Sequence, residues 1–280
     1  MAFPVPCPLS PVPFFLALCL AGASAACDVS VGDKGVSFGI AKGRAQDEWA
    51  RTYTLPPGGR LEVANVNGSI DVMPAEGNQV EVRAERIASA VSDEAARELL
   101  RGLRMNEDVG PRRVRIEVQP APGQRPNLIR RSSIEVRYHV RVPAGLSMAF
   151  ETANGSVRIE NVDGNVRAAS TNGTVNARGV TGPFKASSTN GGVQVDLSTI
   201  TGDVDVQSAN GGIRLGLPPD AKATLDARCI NGGVSFDDRL PLRATESSRQ
   251  RVAGTLNGGG PRITASTING AIRIVARVAI

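Results

Sequence analysis

The sequence has few of the side chains on which most enzyme chemistry depends. It contains one histidine, His139, and aromatic residues make up 4% of the chain. A histidine-based metal site or a Ser-His-acid triad would depend on this one imidazole, at an outward position of a predicted strand. Too few aromatic side chains are present to stack the bases of a nucleic acid. We therefore expect no catalytic residues, no metal, no cofactor and no nucleic-acid partner.

Paired carboxylates are the remaining route to hydrolytic chemistry. Asp196, Asp203 and Asp205 are predicted to point outward on neighbouring strands, and glycoside hydrolysis needs two carboxyl groups about 5 to 9 Å apart. Trp49 is the only tryptophan, so partners for stacking against sugars are scarce. A polysaccharide-active enzyme is therefore kept as a remote alternative.

Residues 1–26 have the features of a secretory signal peptide. An apolar run over 14–20 is followed by Ala23-Ser24-Ala25, and the run is too short to span a membrane. We expect an exported, secreted chain, periplasmic or at the cell surface, with no transmembrane span after cleavage. Lipidation of Cys27 would tether the chain to a membrane, but Ser24 stands where such a signal usually has leucine.

Two of the four cysteines, Cys27 and Cys229, remain after that cleavage. A disulfide between them would link the N-terminal arm to a late repeat and stabilise the fold by about 5 kcal/mol in the chain-entropy model. The alternative is that both cysteines are unpaired, buried small residues. Cys229 stands two residues before Asn231, and the other repeats have serine or threonine at that position. Connectivity cannot be deduced from sequence, so both interpretations stay open.

A short repeat dominates the chain from Glu151 to Leu217. Segments that contain Asn-Gly alternate with segments that contain Val-x-Gly or Ile-x-Gly, and both kinds continue with alternating apolar residues. The Asn-Gly segments are TANGSVRI, STNGTVNA, STNGGVQV and SANGGIRL, and the others are NVDGNVRA, GVTGPFKA and TITGDVDV. This periodicity indicates a structural unit of two strands.

The geometry of that unit follows from side-chain parity. Asn-Gly between alternating segments usually predicts a two-residue hairpin and hence an antiparallel meander. However, Val157 and Ile159 share a face, whereas Val162 would point to the opposite side of a continuous strand. A corner between Glu160 and Gly164 removes the conflict. We therefore predict an all-β fold, a β-solenoid whose equivalent residues stack about 4.8 Å apart.

This geometry assigns the inner walls and one corner. One wall would consist of Val157, Val175, Val193 and Ile213, and the other of Val166, Phe184 and Val204. Asn154, Asn172, Asn190 and Asn210 would stack at the corner, where asparagine tolerates positive φ and its amide can bond to the copies above and below. We interpret these asparagines as scaffold.

The segment 92–105 breaks the β pattern and predicts one amphipathic helix, with Ser92 as its N-cap. The predicted organisation is a signal peptide at 1–26, an N-terminal arm at 27–45, a β-strand region with the helix at 46–150, and regular repeats with closing strands at 151–280. A polar segment at 237–251 is expected to loop out. The last strand, near Ile280, is expected to leave a sheet edge that something must cap.

Two surface features are candidate binding sites. The first is the outward residue after each Asn-Gly, which is small and would let a backbone or a glycan approach closely. The steric needs of the tight turn explain this small size equally well. These residues are Ser156, Thr174, Gly192, Gly212 and Gly233. The second feature is the densest group of basic residues in a chain whose net charge is +5. This group would suit an anionic partner, or it is only a solvated sheet edge. Its members include Arg112, Arg113, Arg125, Arg130 and Arg131.

Several of these patterns resemble a known bacterial family. The segment 55–70, the tandem Thr-x-Asn-Gly-x-Val units and the closing segment 254–270 are similar to β-strand-repeat proteins labelled "putative adhesin", a domain-of-unknown-function family with a β-solenoid fold. The resemblance covers 49–274 and departs from the family at 257–260, where an uninterrupted glycine run is usual. The family has no established catalytic residues to transfer.

The resemblance implies a fold and, through the family label, a binding role. We expect a non-enzymatic, adhesin-like binding or scaffolding module of the cell envelope, with an envelope protein or an anionic glycan as partner. The alternative is an envelope-stress signalling accessory that docks a membrane protein through its helix or its arginine-rich loop.

Overall fold

The computed structural model describes residues 31–32, 35–36, 43–120 and 132–277. Strands β1 (Val31–Gly32) and β2 (Gly35–Val36) pair antiparallel with each other and belong to a separate unit within the first 40 residues. The chain from Gly43 onward belongs to one compact unit. The predicted signal peptide and Cys27 lie outside the described residues, as does most of the predicted arm.

The compact unit contains strands β3 to β23 and, among the described residues, the single helix α1. In chain order the elements are β3 (Gly43–Thr54), β4 (Arg60–Asn67), β5 (Ile70–Pro74), β6 (Gln79–Ala90), α1 (Asp93–Gly102), β7 (Leu103–Gly110), β8 (Arg113–Pro120), β9 (Ser133–Val142), β10 (Leu146–Asn154), β11 (Val157–Glu160), β12 (Gly164–Asn172), β13 (Val175–Thr181), β14 (Phe184–Ser188), β15 (Val193–Thr199), β16 (Val204–Asn210), β17 (Ile213–Leu217), β18 (Ala223–Asn231), β19 (Val234–Phe236), β20 (Leu242–Ser247), β21 (Arg251–Leu256), β22 (Arg262–Asn269) and β23 (Ile272–Ala276).

These strands form two open sheets with the apolar core between them. The first sheet has eleven strands in the order β20-β21-β18-β22-β16-β14-β12-β10-β4-β8-β7. The second has ten, in the order β19-β23-β17-β15-β13-β11-β5-β9-β6-β3. Consecutive strands of the repeats alternate between the sheets, so one strand from each sheet makes up a repeat, and we call each such pair a coil.

Strands of neighbouring coils pair in parallel, as side-chain parity predicts, and not as hairpins. The register places Val157, Val175, Val193 and Ile213 side by side in the second sheet. Val166, Phe184 and Val204 align in the same way in the first sheet. All seven residues are at most 2% exposed. The stacked coils therefore bury one apolar residue above another along the whole core.

Both ends of the stack differ from the sequence-based expectation. The final coil, β22 with β23, inserts between the coil β16 with β17 and the coil β18 with β19. The last strand is therefore internal to its sheet, and the expectation of an edge there is wrong. The segment 237–251 does not simply loop out, because part of it forms β20, which pairs antiparallel with β21 and ends the first sheet.

The other end is closed by antiparallel strands. The coil β4 with β5 lies against β10 and β11, although some 80 residues separate them in sequence. Beyond it, β8 pairs with β7 in the first sheet, and β9, β6 and β3 extend the second. The predicted start of the regular repeats at 151 falls inside β10.

Helix α1 begins where the sequence predicts and ends earlier. The Ser92 hydroxyl accepts a hydrogen bond from the Ala95 backbone N–H, and Ala96 and Leu100 are buried in a small apolar cluster with strand β6. The predicted helix extends to Met105, but Leu103 is already extended (φ −81°, ψ 120°) and begins β7. Leu103 is buried in the main core instead, which favours the strand over a further helical turn.

The predicted asparagine stack is a continuous hydrogen-bonded ladder, and it is longer than the four residues predicted. From the second member onward, each Nδ2 donates to the Oδ1 of the preceding asparagine in the stack, over 2.7 to 2.9 Å. The first member, Asn67, donates to the Ile134 carbonyl at 3.2 Å. In stacking order the members are Asn67, Asn154, Asn172, Asn190, Asn210, Asn269 and Asn231. The ladder asparagines do not adopt positive φ, contrary to the expectation for this corner. Among the described residues, the non-glycine residues with positive φ are Asn161 and Asn257, which lie outside the ladder.

The residues on either side of each ladder asparagine also bond or pack toward the neighbouring coil. The hydroxyls of Thr152, Ser170, Ser188, Ser208 and Thr267 donate to glycine carbonyls at 2.8 to 3.1 Å. A Cβ on Gly173 would lie 2.0 Å from the Gly155 carbonyl oxygen, and Gly191 and Gly211 are equally confined by the glycine before them in the stack. Ser/Thr-x-Asn-Gly is therefore a motif for stacking coils rather than for turning a hairpin.

We predict that Gly173→Ala destabilises the fold by about 2 to 3 kcal/mol, because the added Cβ must displace the backbone of the neighbouring coil. Gly110→Ala is the matched control, since the nearest atom to its Cβ lies 3.7 Å away, and it should change stability little. Urea unfolding of both variants measures the difference. Equal midpoints for the two variants would refute the steric role of the corner glycine.

We predict that Asn190→Ala lowers stability by about 1 to 2 kcal/mol, because it removes two ladder hydrogen bonds, one to Asn172 and one from Asn210. The adjacent Thr189→Ala, at an exposed position outside the ladder, should stay within about 0.5 kcal/mol of the unaltered chain. The same unfolding measurement decides. A ladder variant as stable as the control would show that the amides add nothing.

Candidate binding surface

The structure brings the five predicted small residues into one continuous row, which we call the strip. Their backbones are joined across coils: the Val157 N–H donates to the Thr174 carbonyl, and the Val175 N–H to that of Gly192, at 3.0 and 3.1 Å. In stacking order the strip comprises Ser69, Ser156, Thr174, Gly192, Gly212, Ala271 and Gly233. Every member is half-buried or exposed. The strip runs along one margin of the outer face of the second sheet.

A row of longer polar side chains lies beside the strip, two residues further along each strand. This row was not predicted from the sequence. The alternation of inward and outward side chains along each strand, which defines the strip, also predicts it. In stacking order it comprises His139, Asp71, Arg158, Asn176, Gln194, Arg214, Arg273 and Ser235. The outer face of the second sheet is thus a smooth margin beside a polar row.

Of the two members of the predicted basic patch that are described, Arg113 is neutralised by neighbouring acids and Arg112 bonds to a backbone carbonyl. Arg113 pairs with Glu62 at 3.0 Å and Asp108 at 3.6 Å, while Arg112 donates to the Pro57 carbonyl at 3.4 Å. Arg115 also reaches Glu62, at 3.3 Å. Arg125, Arg130 and Arg131 lie outside the described residues. The described arginines of this patch are therefore poorer candidates for an anionic partner than their number suggests.

Glu62 is the acid around which those arginines gather, and its side chain is only 12% exposed. Burial alone would raise its pKa, but hydrogen bonds and positive charge from Arg113, Arg60 and Arg115 outweigh burial and hold the pKa below its ordinary value of 4.5. The carboxylate is therefore charged at neutral pH and acts as a structural counter-ion.

The three aspartates weighed as a hydrolytic site are divided between the two sheets. Asp196 lies on β15 in the second sheet and Asp205 on β16 in the first, so their outward sides face opposite directions. Asp205 pairs with Lys185 at 2.8 Å, and Asp203 accepts the Arg262 backbone N–H at 2.8 Å. Consecutive strands belong to opposite walls, so Asp196 faces away from Asp203 and Asp205.

His139 lies on the outer face, as parity predicts, with 57% of its side chain exposed. Its Nδ1 is 3.9 Å from an oxygen of Asp71, in a cleft of about 660 Å³ that also contains Glu81, Arg83 and Arg141. Within the described ranges, no three His, Cys, Asp or Glu side chains are placed to hold a metal ion. At 3.9 Å Asp71 is beyond hydrogen-bonding distance of the imidazole, so it does not orient the ring as the acid of a catalytic triad does.

Cys229 is 6% exposed and stacks on Thr267, at the position where other coils place a serine or threonine. A disulfide to Cys27 stays a prediction, since Cys27 is outside the described part of the chain. The described residues include no helix with the length and hydrophobicity needed to cross a bilayer.

Comparison with known proteins identifies the family. The family model described as Toastrack DUF4097 matches residues 40–275, so the chain belongs to this family of β-repeat proteins of unknown function. No curated protein sequence matches the chain significantly.

Several solved structures are similar to this chain at low sequence identity. A "putative cell adhesion protein" from Clostridium sporogenes is 9% identical, with 83% of this chain and 100% of that chain covered and a TM-score of 0.48. A "putative adhesin" from Bacteroides fragilis is 10% identical, with 82% and 97% covered and a TM-score of 0.28. A "Putative lipid binding protein" from Parabacteroides distasonis is 10% identical, with 82% and 97% covered and a TM-score of 0.32. These scores are below 0.5, so membership rests on the family model.

The buried position of Glu62 generates a pH prediction. Its stabilising contribution is fully present above pH 4.5 and is lost as pH falls through its lower folded-state pKa. Glu62→Gln should therefore cost about 1 kcal/mol at pH 7, and this deficit should shrink below about pH 4. Glu151→Gln, at an exposed pair 3.8 Å from Arg167, is the control and should cost less than about 0.5 kcal/mol. A deficit that is constant from pH 7 to pH 3 would contradict this role.

Proposed function

We propose that this chain is a non-enzymatic β-solenoid that works as an adhesin-like binding or scaffolding module of the cell envelope. The parallel stacking of its coils and its membership of the Toastrack DUF4097 family support the solenoid architecture. The separation of Asp196 from Asp205 and the exposure of His139 give an enzymatic role no support. Export rests on the predicted signal peptide.

The strip carries this proposal. It presents a row of small side chains over seven successive coils, so a partner can approach the backbone along most of the second sheet. Flat, accessible surfaces of this kind suit an extended partner better than a small molecule, which needs a concave pocket. Stacking at the neighbouring corner fixes the spacing of the row, so the partner meets a rigid surface.

We predict that Ser156→Glu with Thr174→Glu reduces partner recovery at least tenfold, because two charged side chains would block the smooth margin. Both positions already carry a Cβ, so the fold should tolerate the change. The tagged full chain would be crosslinked in its native envelope, and the recovered partners would be identified by mass spectrometry.

The control carries the same two charges on the opposite face, as Ala169→Glu with Ser187→Glu on neighbouring strands of the first sheet. It should recover the same partner as the unaltered chain. Recovery that is unchanged by the strip variant would exclude the strip as the binding face. Equal thermal midpoints of the two variants confirm that neither has unfolded.

A further inference from the structure

Arg214 and Arg273 form an unusual pair on the outer face of the second sheet. They are directly opposite each other on β17 and β23, and both are exposed. Like charges at such positions repel each other. Elsewhere on this face Arg158 has a counter-ion, Asp71, at 3.4 Å. Within the described residues, no carboxylate lies within 4.0 Å of either Arg214 or Arg273, so the pair keeps its full positive charge.

The surroundings of the pair leave it accessible. Gly212 and Ala271 of the strip lie beside it, so only hydrogen or a methyl group stands on that side. The flanking residues of the same row are Gln194 and Ser235, which are neutral hydrogen-bonding groups. Two acids lie two residues further along the neighbouring strands, and both are engaged elsewhere. Asp196 leans over Gly216 and buries it, and Asp237 bonds to Arg239 and to the Ala276 backbone N–H.

We propose that Arg214 and Arg273 bind carboxylate groups of an anionic envelope polysaccharide that lies along the strip. Guanidinium groups bind carboxylates through paired N–H···O bonds, and a carboxylate between the two would relieve their mutual repulsion. This inference rests on the proposed binding function and names its ligand class. It also moves the anion site away from Arg113, which already pairs with Glu62 and Asp108.

The same face disfavours two other anionic partners. A continuous anionic bilayer would also meet Asp71 and Asp196, which repel it, whereas separate carboxylates on a sugar chain need only the local pair. An acidic protein would gain most of its affinity from apolar anchors. Of the exposed large apolar residues among those described, Met73 lies on this face, but at its far end beside Asp71 and His139. Val66, Val109, Ile230 and Ile268 belong to the first sheet, and Val91 precedes helix α1.

The test compares the purified full chain with the double variant Arg214→Gln, Arg273→Gln for binding to two carboxylated polymers, polygalacturonate and alginate. We expect the variant to bind at least about tenfold more weakly. We expect binding by the unaltered chain to fall as salt rises, because the site is exposed and screened. Arg167→Gln with Lys185→Gln removes the same charge from the first sheet and should retain the affinity of the unaltered chain, since those two cations are paired with acids.

Methyl-esterified polygalacturonate, poly-glutamate and phosphatidylglycerol vesicles complete the test. Weaker binding to all three than to polygalacturonate supports the proposal. It is overturned if the unaltered chain binds neither carboxylated polymer, if both double variants lose affinity equally, or if poly-glutamate or vesicles bind as tightly as the polysaccharide. The crosslinking test of the strip would still stand after such a result, so failure here is distinguishable from failure of the proposed function.

Discussion

The close approach of backbones at one corner is the constraint on which the structure depends. Corner glycines stack so closely that a Cβ on one would collide with the carbonyl oxygen of its neighbour. Because this spacing is fixed, asparagine amides form hydrogen bonds from coil to coil, and serine and threonine hydroxyls reach the carbonyls of the neighbouring coil. For the same reason each core valine packs directly against the equivalent valine of the next coil. The core can therefore consist of small β-branched residues and needs few aromatics.

The same spacing determines what the surface can do. Outward side chains repeat at the strand separation, so acids and bases in neighbouring coils pair directly, as in Lys185 with Asp205 or Arg158 with Asp71. Several charges on the two sheets are thereby neutralised within the molecule. At Arg214 and Arg273, with no carboxylate of the described residues within 4.0 Å, the charge stays available to a ligand. Net charge alone is a poor guide to a partner for such a fold, since local pairing decides which cations remain unpaired.

Much of this architecture could be predicted from the sequence, because parity and periodicity are local. The inward positions of Val157 and Phe184, the corner stack of Asn172 and the N-cap at Ser92 needed no knowledge of distant contacts. Which coils become neighbours is not local, and for that reason the insertion of β22 and β23 between earlier coils was not predicted. The end of α1 and the pairing of β20 depend on contacts with distant strands, which no short window of sequence contains.

The insertion of the final coil constrains how the chain reaches this fold. Strands β18 and β19 leave the ribosome before β22 and β23, yet in the finished molecule they lie beyond them. The stack therefore cannot grow one coil at a time from the N-terminus to the C-terminus. Until β22 and β23 are made, the coil β18 with β19 has two alternatives. It either stays without a neighbouring coil or docks on β16 and β17 and is later displaced. A fold with such local repeats thus has a folding step that depends on strands made later, and the native stack is completed only after β22 and β23 have been synthesised.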